Sequence, residues 1–454
     1  MREINISIIV VFVVSLFLVS CENDSSVTSK ITSAVPPNIV IILADDMGFG
    51  DLSINGSGKI KTPAIDQLAR TGFNFTQFYA SANICSPSRA GLMTGRYPIR
   101  TSLGYNVITA GDTHGLPKTE DTLAELALRA DYRTMLIGKW HLGRFPEHAP
   151  MKHGFETFYG VPHSNDMANF ALYSGDNIVE QPVEQSTLTL RYTEKSVSFI
   201  DANAKHPFLL FVSHTMPHIP LYASEDFAGK SDAGVYGDVV EELDYSTGKI
   251  VAALKRNGIF DNSIIIITSD NGPFFEGATA GLKGGKGSTY EGAYRVPLII
   301  SWPAGIANPA VTDAIAMNID ILPTIAEAIE SKPAASIIDG RSLLPLLRGA
   351  EKSPHEYLYY FNNEDVVGIR NQQWKYLTHT YYRRSIGALE KFDQLDGFKT
   401  SYDLLFAANN SGGEEYSMAA RQPEIVALLK AEISRARAEF DVHRTRPKDK
   451  TFPE

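Results

Sequence analysis

Apolar and polar positions fall into three textures along this chain. Ile4 to Val19 is apolar except at Asn5, Ser7 and Ser15. At roughly sixteen residues this run is short for a membrane-spanning helix and right for the core of a secretion signal. From residue 38, continuous β-branched runs alternate with amphipathic stretches. Asn38 to Leu43 predicts a strand buried on both faces. Thr62-Pro63 opens a helix with Ile65, Leu68 and Ala69 on one face and Gly72 as its stop. Phe73 to Ala80 predicts an alternating strand, Asp121 to Ala130 a helix, Thr134 to Ile137 and Phe208 to Val212 further strands. Asp238 to Asn257 is a long helix with Val240, Leu243, Ile250, Val251 and Leu254 inward and Gly258 as stop. Ser263 to Thr268 and Val296 to Ser301 are the last strands of this series. Strands alternating with helices imply a mostly parallel sheet covered on both faces. Past residue 350 the runs shorten: Leu358-Phe361, Val366-Ile369 and Trp374-Leu377 suggest an antiparallel meander, and Gln422 to Phe440 a final helix.

The N-terminal run ends in Leu18-Val19-Ser20-Cys21 and turns polar at Glu22. This resembles a bacterial lipobox, which implies lipidation of Cys21 and a chain held at a membrane by lipid. The other reading is an ordinary secretion signal with an incidental Cys. Residues 1–20 are then a signal peptide, 21–37 a tether, 38–350 a catalytic domain and 351–454 a C-terminal subdomain.

In open α/β sheets ligands bind beyond the carboxyl ends of the strands. Two predicted strands end in acidic groups there: Asp45-Asp46 after the first, Asp270-Asn271 after Ser263–Thr268. Three carboxylates and one amide oxygen on one rim call for a hard cation, Ca²⁺ or Mg²⁺, and not zinc. Taken singly, each pair reads first as a turn or helix cap and second as metal ligands. Composition adds an exclusion. Lys+Arg total 42 against 52 Asp+Glu, a net charge of −10, which argues against nucleic acid as a partner.

Cys85-Ser86-Pro87-Ser88-Arg89-Ala90-Gly91-Leu92-Met93-Thr94-Gly95-Arg96 resembles the signature of the formylglycine-dependent sulfatases, in their type I, arylsulfatase A-like branch. Pro87 suits a first helical turn, so residue 85 is expected at a helix N-terminus, where an anion is favoured. The rival for Cys85 is a thiolate nucleophile. The resemblance implies an alkaline-phosphatase-like mostly parallel sheet sandwiched by helices, with a smaller C-terminal antiparallel sheet plus helix. It implies oxidation of Cys85 to formylglycine by a modifying enzyme, a transient partner, and one Ca²⁺ held by Asp45, Asp46, residue 85, Asp270 and Asn271. By the same resemblance, Arg89 and Lys286 stabilise charge, Lys139 binds sulfate and residue 85, and His141 acts on a hydroxyl of the hydrated aldehyde. His218 protonates the leaving group and Ser164 lines the pocket. Lys139 and His141 lie in Gly138-Lys139-Trp140-His141, and Lys286 in Gly284-Gly285-Lys286-Gly287. His214 reads as structural. His163 is a substrate contact or a surface residue. Asp131 stands where the family usually has Gly, at a helix end, and Asp tolerates that conformation.

Together these imply a sulfuric ester hydrolase acting on a sulfated carbohydrate. An acidic chain repels a long polyanion, so exo-action on oligosaccharides from a sulfated polysaccharide is the expected mode. A lipid-anchored position facing the periplasm or cell surface of a Gram-negative bacterium, on the outer membrane, fits that role. Arg383-Arg384 reads first as a solvated loop and second as a distal sugar or sulfate contact. Two other functions remain open: a formylglycine-dependent phosphonate monoester or phosphodiester hydrolase, and a non-catalytic sulfated-glycan-binding lipoprotein.

Overall fold

A computed structural model describes residues 35–306, 308–379, 401–408 and 414–445. Cys21, the signal segment and Arg383-Arg384 lie outside the described residues. The run from residue 38 becomes the central strand Asn38–Ala44, fully buried. It lies parallel between Phe208–Ser213 and Ser263–Ser269, with Ile41 opposite Phe211 on one side and Ile266 on the other. Arg133–Lys139 and Thr157–Val161 extend the parallel block. Antiparallel pairings finish it at Leu298–Ser301 on one side and at Leu172–Ser174 and Asn177–Glu180 on the other. Beyond Leu298–Ser301 lie Phe73–Phe75 and then Ala310–Thr312, completing ten strands.

Alternate side chains of the central strand feed two cores, as a strand covered on both faces must. Ile39, Ile41 and Leu43 pack with the helices Cys85–Thr94, Leu123–Arg129 and Ile321–Ala328. Val40, Ile42 and Ala44 pack with Pro63–Thr71, Leu188–Asn203 and Gly234–Arg256. Leu358–Asn362, Asp365–Arg370, Trp374–His379 and Ser401–Ala407 form an antiparallel sheet in chain order. The helix Pro423–Phe440 covers it through Val426, Leu429, Ile433, Ala436 and Phe440. Among the described residues no helix is long and apolar enough to cross a membrane.

Three local expectations need correction. Phe73 to Ala80 is not one strand. Phe73–Phe75 joins the large sheet, while Phe78–Tyr79 pairs with Ala316–Met317 in a separate one. The bend at Thr76-Gln77 lets the buried Gln77 Oε1 accept from Arg370 Nη2 at 2.6 Å. Val296 precedes its strand, which begins at Leu298. Thr62 precedes its helix but does not cap it with its side chain. Its hydroxyl donates to Asp66 Oδ1, and the free N–H groups of Ala64 and Ile65 go to the Asp244 carboxylate of a neighbouring helix, at 3.1 and 2.8 Å. A tertiary carboxylate here does what a local cap does elsewhere.

Asp131 ends the Leu123–Arg129 helix at φ 62°, the left-handed region. Asp131→Gly should therefore stabilise the protein by about 0.5–1 kcal/mol, read from the denaturant midpoint, while Asp131→Val should destabilise it. A lower midpoint for the glycine variant would contradict this reading of the turn.

Candidate active site

Parallel strands deliver their carboxyl ends to one rim, and the site is built there. Ala44 is followed by Asp45-Asp46, Ser269 by Asp270-Asn271, Val161 by the Ser164 loop, and Ser213 by the His218 loop; Lys139 is itself the last residue of its strand. Cys85 comes from outside the sheet, as the first residue of the Cys85–Thr94 helix. Ligand atoms of Asp45, Asp46, Cys85 and Asp270 all lie within 4.8 Å of one another, and all four residues are buried.

Three buried carboxylates at such separations repel one another and lose hydration, so they require cations. Three side chains supply them. Lys139 Nζ lies 2.5 Å from Asp45 Oδ2, and Lys286 Nζ 2.6 Å from Asp46 Oδ2. Arg89 Nε donates to Asp270 Oδ2 at 2.8 Å, and its Nη2 lies 3.4 Å from Asp45 Oδ1. Burial raises the pKa of Asp45, but Lys139 and Arg89 outweigh it and hold the carboxyl below its usual range. Burial likewise raises Asp46, and Lys286 with His218 brings it below normal. Both are carboxylates at neutral pH. The Cys85 thiol goes the other way: burial, only partly offset by Lys139 and Lys286, pushes it up to about 12. It is a protonated thiol at neutral pH, not the thiolate a cysteine nucleophile needs.

Asn271 shows what else the rim can hold. Its Nδ2 donates to Asp46 Oδ1 at 2.7 Å and to the Gly272 carbonyl at 2.9 Å. That fixes the amide, and Oδ1 is left buried with no hydrogen-bond partner. An orphaned amide oxygen beside three carboxylates fits a hard divalent cation. Such a cation would share Asp45 and Asp46 with the two lysines already on them.

The two site histidines are set up oppositely. His141, at φ 63° on the loop after Lys139, has Nε2 2.9 Å from the Ile108 carbonyl. A carbonyl only accepts, so Nε2 carries the proton and the unpartnered Nδ1 keeps its lone pair. Burial, then the charges of Lys139 and Arg89, drives its pKa well below the usual value, so the ring is neutral. In His218 it is Nδ1 that faces acceptors, Asn165 Oδ1 at 3.1 Å and the Ile219 carbonyl at 2.5 Å. Its Nε2 points into the site, 3.3 Å from Ser164 Oγ and 3.7 Å from Asp46 Oδ2. Ser164 Oγ in turn accepts from Lys139 Nζ at 3.0 Å. His214 is buried with neither ring nitrogen hydrogen-bonded, and burial takes its pKa to about 3. It faces the Tyr192 ring and is a neutral packing residue. His163 is half-buried beside Ser164, its Nδ1 3.3 Å from the Ser164 carbonyl.

Of the residues singled out in the sequence, Asp45, Asp46, Cys85, Arg89, Lys139, His141, Ser164, His218, Asp270, Asn271 and Lys286 converge here, while His214 packs behind them, Asp131 lies at a helix end and Cys21 and Arg383-Arg384 are outside the described residues. Several that matter were not singled out. Asn165 orients His218. Ser213 Oγ accepts from Arg89 Nη1 at 2.7 Å, and the Lys139 carbonyl from the same nitrogen at 3.0 Å. Asn318 donates to Ser88, whose hydroxyl reaches the Asp270 carbonyl. Asn83 donates to the Ser288 carbonyl at 3.0 Å and its own carbonyl accepts from Gly287, tying the Lys286 loop to the approach to Cys85. Each pairing spans a large sequence distance, so no local pattern marks it.

The family profile described as "Sulfatase" matches residues 37–331. A second, described as "N-sulphoglucosamine sulphohydrolase, C-terminal", matches residues 285–397. Human arylsulfatase A is 34% identical over 453 residues, covering 90% of this chain and 89% of the relative. Mouse N-acetylgalactosamine-6-sulfatase is 36% identical over 372 residues, covering 75% and 71%. The crystal structure of Ps i-CgsB in complex with k-i-k-neocarrahexaose superposes with a TM-score of 0.77 at 28% identity, covering 88% of this chain and 92% of that one.

Replacing Asn271 by Ala removes the orphaned oxygen and its bond to Asp46. Affinity for Ca²⁺ or Mg²⁺, titrated calorimetrically into metal-stripped protein, should fall about 10–100-fold. Unchanged affinity would remove Asn271 from the cation site.

Proposed function

We infer that this chain, which belongs to the sulfatase family and is a sulfuric ester hydrolase, takes sulfate from a carbohydrate. The observation that carries the reading is the convergence of Asp45, Asp46 and Asp270 with Lys139, Lys286 and Arg89 around residue 85 at a helix N-terminus. The carbohydrate preference is supported by relatives named for amino-sugar sulfates and by a structural neighbour bound to a neocarrahexaose. Net charge −10 favours exo-action on oligosaccharides over sliding along a polyanion. We place the protein on a lipid anchor at Cys21, at the outer membrane, where sulfated oligosaccharides from a polysaccharide would arrive.

Formylglycine at position 85 would supply a hydrated aldehyde as nucleophile, and Ca²⁺, when bound, would supply Lewis-acid polarisation of the sulfate. The modification itself requires a formylglycine-generating enzyme in the same cell. The chain's own residues do the rest. Asp45, Asp46, Asp270 and Asn271 would hold the cation. Lys139 and Lys286 bind sulfate oxygens and spread the charge that grows there. Arg89, fixed by Asp270, Ser213 and the Lys139 carbonyl, keeps positive charge beside residue 85. His218 turns Nε2 to the leaving sugar oxygen as the proton donor there, and Ser164 holds that edge of the pocket. His141 takes the proton from a hydroxyl of residue 85 at Nδ1, the nitrogen left with its lone pair.

Three outcomes are expected, with liberated sulfate measured by ion chromatography on protein co-produced with the modifying enzyme. The native enzyme should desulfate members of a sulfated-oligosaccharide panel, and turn over an aryl sulfate faster than the matched aryl phosphonate. The opposite order would favour the phosphonate hydrolase. Cys85→Ser has no second hydroxyl to expel the sulfuryl group and should not turn over repeatedly; full turnover would sink the mechanism. His218→Ala should lower kcat about 10²–10⁴-fold on sugar sulfates, whose alkoxides leave poorly, and far less on activated aryl sulfates. Equal losses on both would remove His218 from the role of acid.

A further inference from the structure

The loop after Asn271 turns back on itself and carries two adjacent aromatic rings at its tip. Its base is pinned to the active-site loops. The Pro273 carbonyl accepts from the backbone N–H of Lys286 at 2.8 Å. Ala278 donates its N–H to Asp51 Oδ1 at 2.7 Å and accepts from Gly50 at 2.9 Å. Asp51 is buried and also accepts from Gly48 N–H at 2.6 Å and Tyr236 OH at 2.5 Å. The two legs touch: a Cβ on Gly277 would lie 2.6 Å from the Pro273 side chain. Phe274, Phe275 and Glu276 form the tip between them. Phe275 is 82% exposed, and Phe274 stands against it with ring centroids 4.5 Å apart and planes at 67°.

An exposed Phe is ordinary on a protein surface. This one is held on a pinned turn, four residues from Asn271, with one leg hydrogen-bonded to the residue that clamps sulfate. None of the hydrogen bonds that fix the loop uses the Phe275 ring. We propose that Phe275 is a stacking platform at the mouth of the site, receiving the sugar ring next to the sulfated one. A pyranose presents a face of C–H groups, which an aromatic face attracts through its quadrupole and its apolar area. This contact carries no charge. It grips a chain of sulfated sugars without a basic groove, in a protein whose net charge would otherwise oppose a polyanion. The proposal rests on the carbohydrate reading above and adds to it a subsite that needs at least two sugar rings.

The test compares Phe275→Ala, Phe275→Trp and Val311→Ala with the native enzyme. Val311 is 70% exposed on the edge strand Ala310–Thr312, and serves as a control for loss of surface apolar area. Probes are a sulfated hexasaccharide and its sulfated monosaccharide, chosen from the panel that the native enzyme desulfates, and an aryl sulfate. KM is read from sulfate release. Dissociation constants are read by calorimetry in a Cys85→Ala background, which has no nucleophile at position 85 and leaves the ligand intact. Phe275→Ala should weaken hexasaccharide binding about five- to tenfold with kcat little changed. The monosaccharide should shift less than about twofold, Phe275→Trp should restore binding, and Val311→Ala should match the native enzyme. Unchanged hexasaccharide affinity, an equal loss on the monosaccharide, or a loss confined to the aryl sulfate would overturn the proposal. If the native enzyme frees sulfate from no carbohydrate, the broader reading fails with it, and that result appears before any variant is made.

Discussion

Three carboxylates and three fixed cations, all withdrawn from water at the carboxyl edge of a parallel sheet, are the constraint on which the rest of the site depends. None of the six could be buried alone, because an uncompensated charge at that depth is far more costly than a paired one. Their positions are therefore coupled. Asp270 is held by Arg89, Arg89 by Ser213 and the Lys139 carbonyl, and Lys139 by Asp45 and Ser164. The Cys85–Thr94 helix cannot shift without breaking the Arg89 pairs, so residue 85 is located by electrostatics as much as by packing. The fixed side chains balance, so a divalent cation bound among them would leave a local positive surplus for an anionic substrate on an acidic chain.

The same network holds two histidines in different orientations. His141 donates Nε2–H to a backbone carbonyl and is kept neutral by burial and by the cations beside it. His218 turns Nδ1 towards Asn165 and Ile219 and presents Nε2 beside Asp46. Which ring nitrogen meets an acceptor thus fixes which nitrogen each histidine turns to the site, Nδ1 in His141 and Nε2 in His218. Both orientations are built into the loops.

Much of this was legible in the sequence because parallel strands make local order and spatial order agree. Apolar runs ending in Asp45-Asp46 and Asp270-Asn271 must end at one rim if the strands are parallel, whereas Cys85, Lys139, His141, Ser164, His218 and Lys286 were marked by the resemblance to the sulfatase signatures. The left-handed turn at Asp131 followed from its place after a helix. What stayed hidden depends on partners far away in the chain. Asn165 orients His218 across a loop, Asp244 caps a helix it does not belong to, and the bend at Gln77 is set by Arg370 from the antiparallel sheet. Phe73 to Ala80 looked like one alternating strand because its period was right. It is two, because all of Phe73, Asn74, Phe75, Phe78 and Tyr79 are buried and alternation carried no information there.

The central claim is that the protonated thiol of residue 85 is a precursor, and that the working group is the aldehyde made from it. Peptide mass spectrometry of the Cys85 segment, on protein purified from its native host and assayed in parallel for sulfate release, tests this directly. The account predicts an aldehyde at position 85, with specific activity proportional to the fraction converted. Fully active protein with an intact cysteine at that position would contradict it.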